Sequence, residues 1–150
     1  MKKITKNNKG FSLIELIIVI AIMAVLVAII APNLTKYLGS SKTKTDQKNA
    51  DELASQLQTC ITEFDTDNST SLGSEIGAGT MKVEWSGKTA SSSTNSGTNA
   101  TAFLAIVNQN ITSDTKSKEN GNDAKAEITY NSTSKIYSIK VEVGNASATK

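Results

Sequence analysis

From Phe11 to Ala31 the chain runs for 21 residues with only two polar side chains, Ser12 and Glu15. Coiled as a helix, that stretch is roughly 32 Å long, about the thickness of a bilayer's hydrocarbon core. The run is long enough to cross a membrane, so any globular domain must come from the residues beyond it. Placing a carboxylate in such a helix costs roughly 2.5 to 3.5 kcal/mol. Glu15 therefore calls for a partner and a purpose.

The preceding residues, Met1 to Gly10, hold Lys2, Lys3, Lys6 and Lys9 and no acid. A basic flank of this kind keeps the start of a chain on the cytoplasmic side and leaves the rest outside. A secretory signal would have a shorter apolar stretch, roughly 7 to 15 residues, and an A-x-A-like cut. Here the run is longer, contains Glu15, and ends Ala28-Ile29-Ile30-Ala31-Pro32, with isoleucine where a small residue should stand.

The sequence Lys9-Gly10-Phe11-Ser12-Leu13-Ile14-Glu15-Leu16 resembles the prepilin motif of type IV pilins and their relatives, the type II secretion and competence pseudopilins. The resemblance runs from about Lys9 to Pro32 and covers only that part of the chain. It implies that a prepilin peptidase cuts between Gly10 and Phe11 and methylates the new amine of Phe11. It further implies that Glu15 pairs with the freed Phe11 amine of a neighbouring subunit in a helical filament. The same residues also satisfy a plainer pattern. Ser12 and Glu15 are spaced as a capping box, and Phe11 with Leu16 as a hydrophobic staple, so the motif is also a helix start.

All 16 basic residues are lysine, against 14 acids, and histidine is absent. That vocabulary is poor for catalysis; with no nucleophile constellation and no phosphate loop, no enzyme and no cofactor are expected. Without the four leader lysines, 12 basic residues face 14 acidic ones. Basicity is thus a topological signal, and no specific nucleic acid is predicted as a partner.

Pro32 lacks a backbone donor and should kink or loosen the helix where it leaves the membrane, gently in an isolated subunit and by partial unwinding in a polymer. From Ala50 the residues Ala50, Leu53, Ala54, Leu57, Cys60, Ile61 and Phe64 follow the spacing of one helical face. One long helix from Phe11 to about Phe64 is the simplest reading. Its stripe needs a covering sheet. Met81, Val83 and Trp85 alternate with polar residues, as do Ala126, Ile128 and Tyr130, and again Tyr137, Ile139, Val141 and Val143;. The expected fold is α+β, a long N-terminal helix packed on a small antiparallel sheet of about three strands. Asp65 to Thr80, Ser86 to Thr101 and Thr112 to Lys125 read as surface loops. Ala102 to Val107 fits helix or strand by pattern, and a buried helical turn is expected there.

Residues 1–10 are thus read as a cleaved basic leader, 11–32 as the transmembrane and filament-core helix, and 33–150 as an amphipathic helix with a C-terminal globular domain. Cys60 has no partner for a disulfide within the chain and, lying in the apolar stripe, reads as a buried, inert thiol. Many Gram-negative members of the resembled family close a C-terminal loop with a disulfide; here packing must do so. Two oxygen-rich stretches, Asp65 to Asn68 and Glu119 to Asp123, lack an EF-hand pattern, and no metal site is assigned. The resemblance would place a pseudopilin's calcium in the second. Six N-x-[ST] triplets, at Asn33, Asn68, Asn99, Asn110, Asn131 and Asn145, read as solvated polar residues;.

Taken together, the expectation is a pilin, the structural subunit of an extracellular type IV pilus, held first in the cytoplasmic membrane with its C-terminus outside. Its partners would be further copies of itself, the prepilin peptidase and the pilus assembly machinery. A pseudopilin of a secretion or DNA-uptake system is the alternative. It would share every feature of the first 32 residues.

Overall fold

A computed structural model describes residues 10–67, 71–77, 79–94 and 97–150; the expected leader, apart from Gly10, and the sequon at Asn68 lie outside the described residues. The element order is α1 (Leu13–Asp67), α2 (Leu72–Ile76), β1 (Thr80–Ser86), β2 (Thr89–Ser92), α3 (Thr98–Asn110), β3 (Lys125–Asn131), β4 (Ile136–Val143) and β5 (Ala146–Thr149). The class is α+β, as the pattern implied. Contacts divide the chain into a unit ending at Leu38 and a second from Gly39 to Lys150.

The second unit is a five-stranded antiparallel sheet, ordered β2-β1-β3-β4-β5, covered by the later turns of α1 and by α3. Every residue of the anticipated stripe, Ala50, Leu53, Ala54, Leu57, Cys60, Ile61 and Phe64, is buried. Fully burying a leucine or phenylalanine side chain contributes about 1.5 to 3 kcal/mol, so Leu53, Leu57 and Phe64 form the main anchor of α1. Opposite them stand Met81, Val83 and Trp85 of β1, Ala126 and Ile128 of β3, and Ile139, Val141 and Val143 of β4. Their neighbours point outward, giving the strict alternation of a half-buried sheet;.

The sheet has five strands and not about three. β2 reads Thr-Ala-Ser-Ser and β5 Ala-Ser-Ala-Thr, too small and polar to announce themselves by hydrophobic alternation. Each is brought in by a two-residue turn. Ser86 pairs with Thr89 around Gly87-Lys88, and Val143 with Ala146 around Gly144-Asn145. Gly87 and Gly144 have φ of 63° and 62°, the left-handed conformation that a tight hairpin requires at its first central residue;. The segments expected to be loops from Asp65 to Thr80 and from Ser86 to Thr101 therefore contain α2, β2 and the start of α3.

The anticipated helical turn at Ala102 to Val107 lies within α3, which is 13 residues long. Phe103 packs edge-on against Phe64 of α1, with ring centroids 6.1 Å apart;. The N-cap of α3 is Gly97, which has no side chain to offer. Glu75 of α2 supplies the acceptor instead, receiving the Asn99 amide at 2.8 Å and the Ala100 amide at 3.2 Å. A carboxylate at a helix N-terminus satisfies orphan donors and meets the positive end of the dipole.

Candidate functional site at the apolar N-terminal segment

In the first unit every described residue, Gly10 to Leu38, is exposed. α1 is the helix long and apolar enough to cross a membrane among the described residues, and the apolar window has no buried share. Phe11 is 93% exposed. So large an unburied apolar surface is incompatible with a monomer free in water and implies lipid or protein around it.

Glu15 sits in the first turn of α1, and its Oε2 accepts the backbone amide of Ser12 at 2.8 Å. The Leu16 amide donates to the Ser12 carbonyl at 3.2 Å. This is the carboxylate arm of the capping box read from the sequence: a helix start leaves four amides without helical partners, and Glu15 reaches back to one at the boundary. Gly10 and Phe11 precede the helix and are exposed, so the Gly10–Phe11 peptide bond lies outside regular structure. Phe11 and Glu15 are thereby placed at the same end of α1. Pro32 lies inside α1, which continues on both sides of it. Nearby polar side chains turn back onto the helix: Asn33 Nδ2 faces the Ile29 carbonyl at 3.5 Å and Thr35 Oγ1 donates to the Pro32 carbonyl at 3.0 Å. Such local bonds soften the polarity of an otherwise apolar helix.

The domain holds the other titratable groups that the sequence raised. Cys60 is 1% exposed and burial, reinforced by the Glu63 charge, pushes its thiol up to about 11. In Asp65 both carboxylate oxygens are occupied, Oδ1 by the Leu72 amide at 2.8 Å and Oδ2 by the Tyr137 hydroxyl at 2.7 Å. Burial and that carboxylate push the Tyr137 phenol well above its ordinary range. In the stretch from Glu119 to Asp123 one side-chain oxygen each of Glu119, Asn120 and Asp123 accepts a hydrogen bond. Asn145 Nδ2 donates to Glu119 Oε2 at 3.2 Å, the Asn122 amide to Asn120 Oδ1 at 3.0 Å, and the Gly87 amide to Asp123 Oδ1 at 3.3 Å. Among the described residues no group of three or more His, Cys, Asp or Glu side chains could hold a metal ion.

One residue in this region escaped the sequence reading. Asp46, fully buried on α1, accepts the Ser117 hydroxyl at 2.6 Å, the Lys118 amide at 2.6 Å and the Glu119 amide at 3.1 Å. Burial alone would raise its pKa, but the Ser117 and backbone hydrogen bonds together with Lys118 outweigh this and hold it below the usual carboxylate value;. Gly144 makes room for the arrangement, since a Cβ there would collide with Ser117 Oγ. Asp46 thus ties the long connection before β3 to the helix. No local signal could have revealed it, because Ser117 lies 71 residues away.

Comparison with known proteins bears on the N-terminal segment. The family model for the prokaryotic N-terminal methylation motif matches residues 5–31. The prepilin peptidase-dependent protein A of Clostridium perfringens (strain 13 / Type A) is 40% identical over 60 residues, which are 39% of this chain and 43% of that protein. The matched part is thus less than half of that relative's length. No solved structure matches the chain. The motif and the apolar helix together fit a membrane-anchored protein. This chain carries the prokaryotic N-terminal methylation motif and is, through that segment, pilin- or pseudopilin-like.

Proposed function

We propose that the protein is the pilin of an extracellular type IV pilus, cut after Gly10 by a prepilin peptidase, methylated on the Phe11 amine and polymerised through α1. The observation that carries this reading is the exposed apolar helix with a single carboxylate, Glu15, at the end where the new amine would arise. In the cytoplasmic membrane the helix is surrounded by lipid, with residues 33–150 outside; the assembly machinery then moves it into a filament. There each apolar surface exchanges lipid for neighbouring helices, and the domains coat the outside. Phe11 and Glu15 would otherwise bury a positive and a negative charge separately. Pairing them between subunits removes both penalties and fixes axial register, with specificity as the main gain. Pro32, already short of one hydrogen bond, is the point where the packed helix can unwind. The similarity to a protein whose name states dependence on prepilin peptidase supports the processing step.

The discriminating experiment uses Glu15→Gln. Glutamine keeps the capping box and nearly the same volume, so insertion and cleavage should persist. It removes the charge that would offset the Phe11 amine, and an ion stranded by loss of its buried partner costs about 3 to 5 kcal/mol. The variant should accumulate in the membrane, begin at a methylated Phe11, and yield no sheared filaments. Assembly at the wild-type level would reduce Glu15 to a cap. A mature protein that retains residues 1–10, or that starts after Ala31, would defeat the pilin reading. A pseudopilin would show the same processing but build short, wall-confined structures, so the length of antibody-labelled fibres in electron micrographs separates the two.

A further inference from the structure

The face of the sheet turned away from α1 bears six charged side chains in two rows. Across the strands, Glu84 is paired with Lys125 and Lys125 with Glu142 in one row; Lys82 is paired with Glu127 and Glu127 with Lys140 in the next. The signs are minus, plus, minus in the first row and plus, minus, plus in the second. Ion pairs close at 3.4 Å for Lys82–Glu127, 3.5 Å for Lys125–Glu84 and 2.7 Å for Lys140–Glu142. The side chains remain about half exposed, and a depression of about 130 Å3 opens among them. Flanking positions are uncharged: Ser91 beside Glu84, Ser147 beside Glu142 and Thr149 beside Lys140.

Cross-strand pairing requires opposite signs only within a row. It leaves the relation between rows free, and Lys140–Glu142 is the ion pair here that runs along a strand. Yet the rows are inverted at all three strands. The inversion gives the face a property that one row alone would lack. Turn a second copy by 180° about an axis lying in the face, between the rows and parallel to them. Glu84 then lies over Lys82 of the second copy, Lys125 over Glu127 and Glu142 over Lys140, and the reciprocal contacts follow from the symmetry. All six opposed positions carry opposite signs.

We propose that this face is a self-complementary contact joining two copies of the domain, and that it associates neighbouring filaments side by side. The proposal rests on the filament reading for its setting, in which the domains coat the outside. A single contact is weak, since exposed ion pairs are screened and contribute little individually. Repetition along two parallel filaments makes many such contacts simultaneous and the association firm. Net neutrality of the face suits this role: it exerts little long-range repulsion on another copy.

The test inverts one row at a time. One variant carries Lys82→Glu, Glu127→Lys and Lys140→Glu; the other carries Glu84→Lys, Lys125→Glu and Glu142→Lys. Each keeps opposite signs across strands but places like charges opposite each other in the face-to-face pair. Mixed together, the two variants are again complementary. Sheared filaments are sedimented at low speed in about 20 mM and about 500 mM salt, conditions of weak and strong screening. Wild-type filaments should pellet at low salt and lose roughly tenfold of that fraction at high salt, as ion pairing at a repeated contact demands. Each variant alone should stay dispersed, and an equal mixture should pellet again. Pelleting of either variant alone at the wild-type level, a mixture that stays dispersed, or wild-type filaments that never associate would each overturn the proposal. Absence of filaments would instead defeat the filament reading. The face is then decided on phosphatidylcholine vesicles bearing the full chain, where turbidity must follow the same pattern. Should a triple variant lose its fold by Trp85 emission, Lys125→Gln with Glu127→Gln is the milder form; it removes two opposed contacts, and unchanged pelleting overturns the proposal.

Discussion

Asp46 offers the sharpest test of how the domain is held together. Asp46→Ala removes an acceptor shared by the Ser117 hydroxyl, the Lys118 amide and the Glu119 amide. Hydrogen bonds to a charged group contribute about 1.5 to 3 kcal/mol each, but exposed donors recover much of that from water. Lys118 and Glu119 are exposed, so their amides rehydrate; Ser117 is 4% exposed and its hydroxyl does not. A net loss of about 3 kcal/mol is expected, and about 2 kcal/mol for Asp46→Asn, which keeps one acceptor but sets an amide donor against the others. Because the folded-state pKa lies below the ordinary 3.8, the carboxylate's contribution is present above that value and is lost as pH falls through the lower folded one;. The wild-type advantage over Asp46→Asn should therefore be constant from pH 7 to about 5 and shrink below about pH 4. Urea unfolding of the full chain in mild detergent, followed by emission of the buried Trp85, measures it. A loss below about 1 kcal/mol for Asp46→Ala, or an advantage unchanged at pH 3, would refute the assignment of Asp46 as the anchor of this connection.

Two other perturbations follow from the same geometry. With its thiol at about 11, Cys60 should be about one part in a thousand thiolate at pH 8; maleimide labelling should be slow in the folded protein and accelerate with unfolding in urea, whereas complete labelling within minutes under native conditions would contradict the burial;. Asn108→Ala should cost about 1 to 2 kcal/mol and increase concentration-dependent association in sedimentation, because Asn108 holds both the amide and the carbonyl of Ala90;.

What could be read in advance followed from where apolar residues are frequent enough to show a period. The stripe from Ala50 to Phe64 and the alternations of β1, β3 and β4 are long and contain large side chains, so helix and strands were legible. β2 buries only Ala90, and β5 only Ala146 and Ala148. Their signal was in the turns: Gly-Lys and Gly-Asn steps join each to its neighbour, and a glycine at the first central position of a two-residue loop marks a hairpin. The extent of α3 was hidden for a different reason. Its cap is Glu75, more than twenty residues before it, and a non-local cap leaves no pattern beside the helix it starts. At the N-terminus the spacing of Ser12 and Glu15 was enough for the carboxylate arm of the capping box, because that contact is local and set by helix geometry. The proposed pairing of Glu15 with an amine on another copy would be a relation between chains, which the spacing does not contain.

A chain that exposes one long apolar helix must prevent its other surfaces from associating without order, and the sheet has two edges where that could happen. An open edge presents unpaired amides and carbonyls to any other strand. On β2 the Asn108 side chain occupies that position. Its Oδ1 accepts the Ala90 amide at 2.6 Å and its Nδ2 donates to the Ala90 carbonyl at 3.2 Å, as a neighbouring strand would. On β5 the Gln47 amide of α1 donates to the Ser147 carbonyl at 2.9 Å. Both edge strands are four residues long and rich in serine, threonine and alanine, which offers little to a hydrophobic partner. Two side-chain amides and two short strands therefore obstruct growth through the sheet edges. What remains open is the apolar start of α1, whose proposed association would be oriented by one carboxylate, and the charged face, whose proposed association would be weak and sensitive to salt. On the filament reading proposed above, the difference in strength would order them: subunits would join first through the helix, and only filaments so formed would have enough repeated contacts to join through the face.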